Sequence, residues 1–331
     1  MDPIPIIRRS VFLHCTGTLE RLGFSAKRVL AGAGIPNWHL GPADDWIPYS
    51  DLLRALTAGY ETVGDSTFGM TVGEEFPMDF GTFGRIVTQS VSLFSACRTV
   101  VRQGKQLNST THFWIAESPD AIWLCRARTP SWQMEQYVLS HMIGLVKMAS
   151  RNEWQPREVY VSAPRSRAFE QLEILADAKT RFGQPCTALA IPKAFLSAPL
   201  KPGPGFESAA SESTLMKISP GDDFVGSLRQ IVESLLRERY ADIETVSEVV
   251  GVSKRKLQRE LAKEGLKYRD LVGQVRYKMA CKMFAETDMT AREIAHELSY
   301  SRASHLIRSF RHWSGLTPGE HREFHKQQKP N

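Results

Sequence analysis

Leu257-Gln258-Arg259-Glu260-Leu261 and, 49 residues further on, Leu306-Ile307-Arg308-Ser309-Phe310 are two versions of one helical phrase. In both, apolar residues four apart form a stripe on one side of a helix and leave the intervening arginine on another. Each phrase follows a Ser-led turn, Gly251-Val252-Ser253 or Ser299-Tyr300-Ser301, and each precedes a Gly-Leu pair, Gly265-Leu266 or Gly315-Leu316. The offset between equivalent positions drifts only from 48 to 50, so a whole supersecondary unit is duplicated.

A short helix, a turn and a second helix make a helix-turn-helix, in which the first helix braces a second that can enter the DNA major groove. The two modules are expected at about 243–264 and 290–313. Three pairs suggest capping boxes: Thr245 with Glu248, Thr290 with Glu293, and Thr317 with Glu320. In each, a hydroxyl would cap a backbone N–H while the carboxylate reaches back. Pro318 suits a first helical position, where no N–H is needed. Tyr268 to Ala285 reads as one long helix joining the modules, and Val225, Leu228, Ile231, Val232, Leu235 and Leu236 describe an amphipathic helix ahead of them.

Working outward, 331 residues allow two domains, and 42% hydrophobic with 24% charged residues is ordinary for a globular chain. No run approaches the ~20 apolar residues of a membrane span. Met1-Asp2-Pro3-Ile4-Pro5 lacks a signal-peptide pattern, so the expected location is cytoplasmic. Five scattered cysteines (Cys15, Cys97, Cys125, Cys186 and Cys281), without a Cys-x-x-Cys pair, suggest neither a disulfide framework nor a zinc site. No cofactor is expected. His321 and His325, four apart, are read as a solvated face in preference to a metal pair. The net charge of +6 is unevenly spread: residues 251–282 alone carry +7. A basic run is often only a solvated face, but this one coincides with the first helix-turn-helix, where it would neutralise phosphates.

Pro, Gly and Ser crowd Lys201 to Asp223, which divides the chain into residues 1–200, a linker at 201–222 and residues 223–331. In the first part, Leu19 to Ile35, Leu52 to Val63, Ser92 to Gln106 and Met134 to Ser150 carry helical patterns, while His112 to Ile115, Ala121 to Ala127 and Val159 to Ser162 resemble strands. The fold class expected is an α+β N-terminal domain followed by an all-α C-terminal domain with two helix-turn-helix modules joined by a long helix. Six tryptophans fall in the first part (Trp38, Trp46, Trp114, Trp123, Trp132 and Trp154) and are read as core in preference to pocket lining. The Met134 to Ser150 segment has more apolar positions than one stripe requires, which fits full burial or, less simply, a subunit contact.

Candidate DNA contacts follow from the helix geometry. In the first recognition helix the candidates are Ser253 and Lys254 at its start, Arg255 and Arg259 pointing away from the Leu257/Leu261 stripe, and Gln258 flanking them. Arg can grip guanine O6/N7 bidentately and Gln can do the same for adenine N6/N7, although the arginines could instead hold phosphates or pair with Glu260 and Glu264. In the second helix Leu306 and Phe310 face inward and Ser304 and Arg308 outward, with Arg302 and Ala303 as further candidates at the entry end. That face is poorer in base-reading groups, so the first module is expected to discriminate sequence and the second to position the protein on the backbone.

Ile294-Ala295, Tyr300-Ser301, Arg308-Ser309-Phe310-Arg311-His312-Trp313, Gly315, Thr317-Pro318 and Arg322 resemble the signature of AraC/XylS-type transcriptional regulators. Val252-Ser253, Leu257-Gln258-Arg259, Glu264-Gly265 and Arg276 fit the first half of the same domain. Two positions depart: Ser299 stands where the family usually has Gly, and Leu306 where it usually has Phe. Gly34-Ile35-Pro36, Asp65-Ser66-Thr67-Phe68-Gly69, Gly81-x-x-Gly84, Phe182-Gly183-Gln184-Pro185 and Pro199-Leu200 are similar to the family's arabinose-binding-like regulatory domain. The resemblance implies double-stranded DNA and RNA polymerase as partners, with effector sensing, homodimerisation or both in the N-terminal part; it names no effector residues. A ligand-independent regulator whose N-terminal part only dimerises is the alternative. An enzyme fused to a DNA-targeting module has less in its favour, since Gly-x-Ser-x-Gly, His-Glu-x-x-His and phosphate-cradling loops are all missing.

Overall fold

The computed structural model describes residues 1–36, 41–75, 80–150, 154–200, 219–238 and 241–327. It divides into two compact units: Pro5–Pro220, and Gly221–Asn331 together with Met1–Ile4. The Pro/Gly/Ser-rich stretch lies mostly outside the described residues, as does Trp38.

The first unit opens with a short strand, β1 (Ile6–Arg8), running directly into α1 (Arg9–Arg21), followed by α2 (Ala26–Gly32). β2 (Trp46–Pro48) pairs antiparallel with β1 and leads into α3 (Tyr49–Val63). After α4 (Phe68–Glu75), α5 (Gly81–Thr88) and α6 (Leu93–Gln103) come β3 (Phe113–Glu117), β4 (Ala121–Ala127) and α7 (Trp132–Ala149). The remaining elements are β5 (Glu158–Tyr160), α8 (Arg167–Glu170), β6 (Lys179–Arg181) and β7 (Cys186–Pro192). Strand order is β3-β4-β7-β5-β6, antiparallel except for β5 beside β6. One face of this sheet, with Ile122, Leu124, Val159, Leu189 and Ile191, is buried.

Helix α7 is buried nearly all round, from Gln133 through Ile143 and at Leu145 and Val146, which decides for burial over a subunit contact. Its close neighbour is α4, whose Gly69 and Gly73 face Gln133 and Ser140; a Cβ at either glycine would collide with α7. Asp65 starts α4 by accepting from the Thr67 amide at 2.8 Å. The Asp-Ser-Thr-Phe-Gly run is therefore a helix start followed by a buried Phe68 and a backbone-approach glycine.

Several expectations need correction. Leu19 to Ile35 is not one helix: α1 begins at Arg9, and Gly23, at φ +85°, turns the chain before α2. The periodicity continued across the break because Leu19 and Leu30 both enter the core. The apolar periodicity does not reveal α4 and α5, because glycines dilute it where backbones approach, at Gly69 and Gly73, and where the chain turns, at Gly81. Trp46 and Trp154 are core, whereas Trp114, Trp123 and Trp132 are half-buried, Trp123 packing at a tilt against Tyr160 with centroids 4.5 Å apart. All five cysteines are free; burial pushes the thiols of Cys15, Cys97 and Cys125 up to about 12. Among the described residues no helix is long and apolar enough to cross a membrane.

The second unit is helical: α9 (Phe224–Arg237), α10 (Ile243–Val250), α11 (Lys254–Lys263), α12 (Tyr268–Glu286), α13 (Ala291–Glu297), α14 (Ala303–Ser314) and α15 (Pro318–Gln327). Leu228, Ile231, Val232, Leu235 and Leu236 of α9 are fully buried, as the spacing predicts. The long helix α12 buries Leu271, Val272, Val275, Met279 and Phe284. Capping boxes form at Thr290/Glu293 and Thr317/Glu320. The third does not: α10 starts earlier, on Asp242, whose carboxylate accepts from the Thr245 amide at 2.8 Å, so Thr245 lies inside the helix. Asp at the N-cap outcompetes Thr three residues later because it accepts with a full charge facing the helix N-terminus.

Candidate nucleic-acid interface

The first module is α10, a left-handed turn at Gly251 (φ +72°) and α11. Leu257 and Leu261 are completely buried, worth about 2 kcal/mol each by area removed from water. That anchoring sets the outward face. Ser253 is the N-cap of α11 and accepts from the Lys256 amide at 3.3 Å, so its hydroxyl oxygen helps start the helix. Lys254 is exposed but ion-paired with Glu244 of α10, and the ammonium holds the Glu244 carboxyl below its usual range. Arg259 leans on Glu260 at 3.4 Å. Glu260 is chiefly engaged by Lys263 at 2.7 Å, which lowers its carboxyl further. Arg255 and Gln258 are exposed and, among the described residues, make no hydrogen bond or ion pair.

The second module, α13 and α14, repeats the geometry with one difference in the turn. Ser299 has φ +58° and is the one non-glycine residue with a positive φ among those described. Its hydroxyl is buried without a partner. The turn therefore needs the left-handed conformation that glycine accepts at the equivalent position of the first module. Leu306 and Phe310 are 1% exposed and anchor α14. Arg302, the N-cap residue, makes no side-chain cap; Ser304 and Arg308 are exposed and Ala303 half-buried. Ser301 and His305 hydrogen-bond at 3.0 Å across the entry to the helix. Residues 290–313 carry a net of only +2.

Most of the second module's signature residues serve packing. Ile294 and Ala295 are buried. Arg322 donates to the carbonyls of Phe284 and Thr287 at 3.2 Å and to that of Met289, closing the C-terminal end of α12. Trp313 stacks on Tyr277, and Arg276 lies 5.0 Å over the Tyr300 ring. His321 is not on a solvated face as expected: it is buried and packs edge-on against Phe310 at 5.3 Å, while the His325 side chain lies outside the described residues. Among the described residues no cluster of three His, Cys, Asp or Glu side chains could hold a metal.

A second feature, which the sequence did not point to, lies inside the first unit. A cavity of about 70 Å³ is lined by apolar side chains of β1, α1, α5, α6, β4 and α7, with Asn108, Thr111, Arg126, Tyr137 and His141 as its polar groups. Arg126 of β4 is 4% exposed, and burial lowers its affinity for a proton.

A mixed α/β unit carried on the same chain as two helix-turn-helix modules is the architecture of a transcription regulator. Residues 23–200 match the family described as the arabinose-binding domain of AraC transcription regulator, and residues 246–323 match a helix-turn-helix domain. The chain belongs to the AraC family of transcription regulators. It is 34% identical over 94 residues to the HTH-type transcriptional regulator VirS of Mycobacterium tuberculosis, a match spanning 28% of each chain. A further HTH-type transcriptional regulator of Mycobacterium tuberculosis is 23% identical over 97% of this chain and 98% of its own. The crystal structure of the transcriptional regulator CdpR from Pseudomonas aeruginosa aligns over 90% of this chain and 96% of its own, with 19% identity and a TM-score of 0.33.

Proposed function

We propose that the protein is a sequence-specific regulator, and not an enzyme, that sets α11 and α14 in successive major-groove segments about 34 Å apart on one face of the DNA. The observation that carries this reading is the pair of anchored helices with outward polar faces, the first inside a +7 stretch. Cationic side chains there release counterions from phosphates and make affinity fall steeply with salt. Within α11, Arg255 and Gln258 are the base readers, because they alone among its candidates are exposed and uncommitted. Lys254 and Arg259, partly neutralised by Glu244 and Glu260, add to phosphate contact. Arg302, Ser304 and Arg308, with Ala303 close to the groove floor, position the second module. RNA polymerase is the partner at the promoter, a second copy of the chain doubles the footprint, and the place of action is the cytoplasm. A small molecule bound in the first unit modulates the protein.

Selection of bound fragments from random DNA with the full-length chain tests this reading. A recovered motif with two boxes one helical turn apart is expected. Arg255→Ala should then relax base preference within one box at about 1–3 kcal/mol, whereas Arg308→Ala should weaken all sequences alike and flatten the salt dependence. Equal binding to random DNA would end the proposal, and loss of preference on Arg308→Ala but not on Arg255→Ala would reverse the assigned roles.

A further inference from the structure

The cavity of the first unit has a wall that does not fit a purely structural role. Val11, Phe80, Phe83, Leu124, Val138 and Leu145 make it apolar, yet a guanidinium stands in it. Arg126 finds only neutral partners: the Tyr49 hydroxyl, the Ala127 carbonyl at 3.4 Å and the Thr111 hydroxyl at 3.5 Å, the last two at the outer limit of a hydrogen bond, with the Phe113 ring centroid 6.0 Å away. Among the described residues it has no ion-pair partner. The buried acid whose charge it senses, Glu135, is spent elsewhere: its carboxylate accepts from the amides of Ser162 and Ala163, at 2.5 and 2.9 Å, and from the Thr187 hydroxyl. An unpaired buried cation is strongly unfavourable unless an anion joins it.

Two neighbours sharpen the chemistry. Asn108 is 2% exposed, and its Oδ1 accepts from the Thr110 amide at 3.0 Å and the Thr110 hydroxyl at 2.8 Å. A backbone N–H can only donate, so the amide orientation is settled and Nδ2 must be the other arm. That Nδ2 is buried without an acceptor. The Tyr49 hydroxyl is also buried and lies beside both Arg126 and Asn108, where its oxygen is a neutral acceptor. Arg126 and Asn108 thus bring donors to one place where the acceptors are neutral and, among the described residues, no carboxylate pairs with the guanidinium. A carboxylate supplies two charged acceptor oxygens in the plane a guanidinium matches.

We propose that the cavity is the effector site and takes a small apolar monocarboxylate, its carboxylate seated on Arg126 and Asn108 Nδ2 and its body among the apolar side chains. This rests on the reading of the protein as an effector-modulated regulator. The cavity's 70 Å³ is about half of the roughly 150 Å³ void that takes benzene, so a short chain or a single ring enters only as the wall repacks, and nothing larger is expected. Met134 and Met142, both in the wall, supply the side chains that repack around it.

The test uses the full-length chain, thermal shift and calorimetry, with hexanoate, cyclohexanecarboxylate and phenylacetate as probes and the matching primary amides as neutral twins. At least one acid is expected to raise the melting temperature saturably and to bind at least about tenfold more tightly than its amide. Arg126→Met should abolish that response without lowering the melting temperature of the unliganded protein, since it removes an unpaired charge; an arginine that merely holds the fold together would show the opposite. Val138→Phe keeps Arg126 but fills the cavity, and should lose the acid while still binding selected DNA. The proposal is overturned if no acid binds at millimolar concentration, if the amides bind equally well, or if binding survives Arg126→Met. DNA selected without any acid response would sink this inference alone; acid binding without a DNA motif would sink the regulator reading alone.

Discussion

Replacing Ser299 by glycine should stabilise the second helix-turn-helix, and the matched change Gly251→Ser should destabilise the first. Ser299 is held at φ +58°, where the Cβ of an L-residue approaches the following carbonyl at a cost of about 1–2 kcal/mol. Its buried, unpartnered hydroxyl adds a desolvation penalty of about 1–3 kcal/mol. Against these gains, glycine returns about 0.4–1 kcal/mol through the greater freedom of the unfolded chain. The net is at least about 1 kcal/mol in favour of Ser299→Gly, a rise of about 4–8 °C for a unit near 100 residues. Gly251, at φ +72°, has no atom within 4 Å of an added Cβ, so Gly251→Ser isolates the backbone cost at about 1 kcal/mol. Urea unfolding combined with amide exchange of α10–α11 and α13–α14 in the full chain separates the two modules. If Ser299→Gly were neutral or destabilising while Gly251→Ser behaved as stated, the left-handed turn in the second module would be refuted.

Further outcomes follow from the caps and from the α4–α7 contact. Backbone and side-chain hydrogen bonds from Thr290 hold the Glu293 carboxyl below its usual value of 4.5, and Thr317 does the same for Glu320. A depressed folded-state value means the stabilisation is complete above pH 4.5 and is lost as pH falls through the folded value. Glu293→Gln should therefore lower the urea midpoint at pH 7 by an amount that shrinks below pH 4.5; a difference constant down to pH 3 would count against the cap. Gly73→Ala should cost the first unit more than about 2 kcal/mol, since its Cβ would meet Ser140 and the Tyr137 carbonyl of α7. Thermal melts in which Gly73→Ala matches the wild type would show that α4 and α7 are not in close contact.

The legible and illegible parts of the chain differ in range. Thr290/Glu293 and Thr317/Glu320 were readable because a capping box closes within four residues, and the Leu257/Leu261 stripe because its period is that of the helix. Thr245 was misassigned as a cap because Asp242, just upstream, is the stronger acceptor. Gly23 was overlooked because leucines on either side of it entered the same core. The duplicated phrase separated inward from outward residues, yet which outward residues were uncommitted depended on partners that the sequence does not rank: Glu244 takes Lys254 from the neighbouring helix, and Glu260 takes Lys263 and Arg259.

By itself, then, the sequence determined the tandem helix-turn-helix, the capping boxes at Thr290 and Thr317 and the core stripes, all products of contacts between residues a few positions apart. Tertiary structure alone decided that Ser299 sits in a left-handed turn and that Asn108 and Arg126 stand together in an apolar cavity with Tyr49 beside them. Those three side chains come from separate elements spanning 77 positions of the chain, and the missing counter-charge that makes Arg126 informative is a property of everything packed around it. Periodicity registers which side of a helix or strand is buried; it carries no record of whether a buried charge has found a partner.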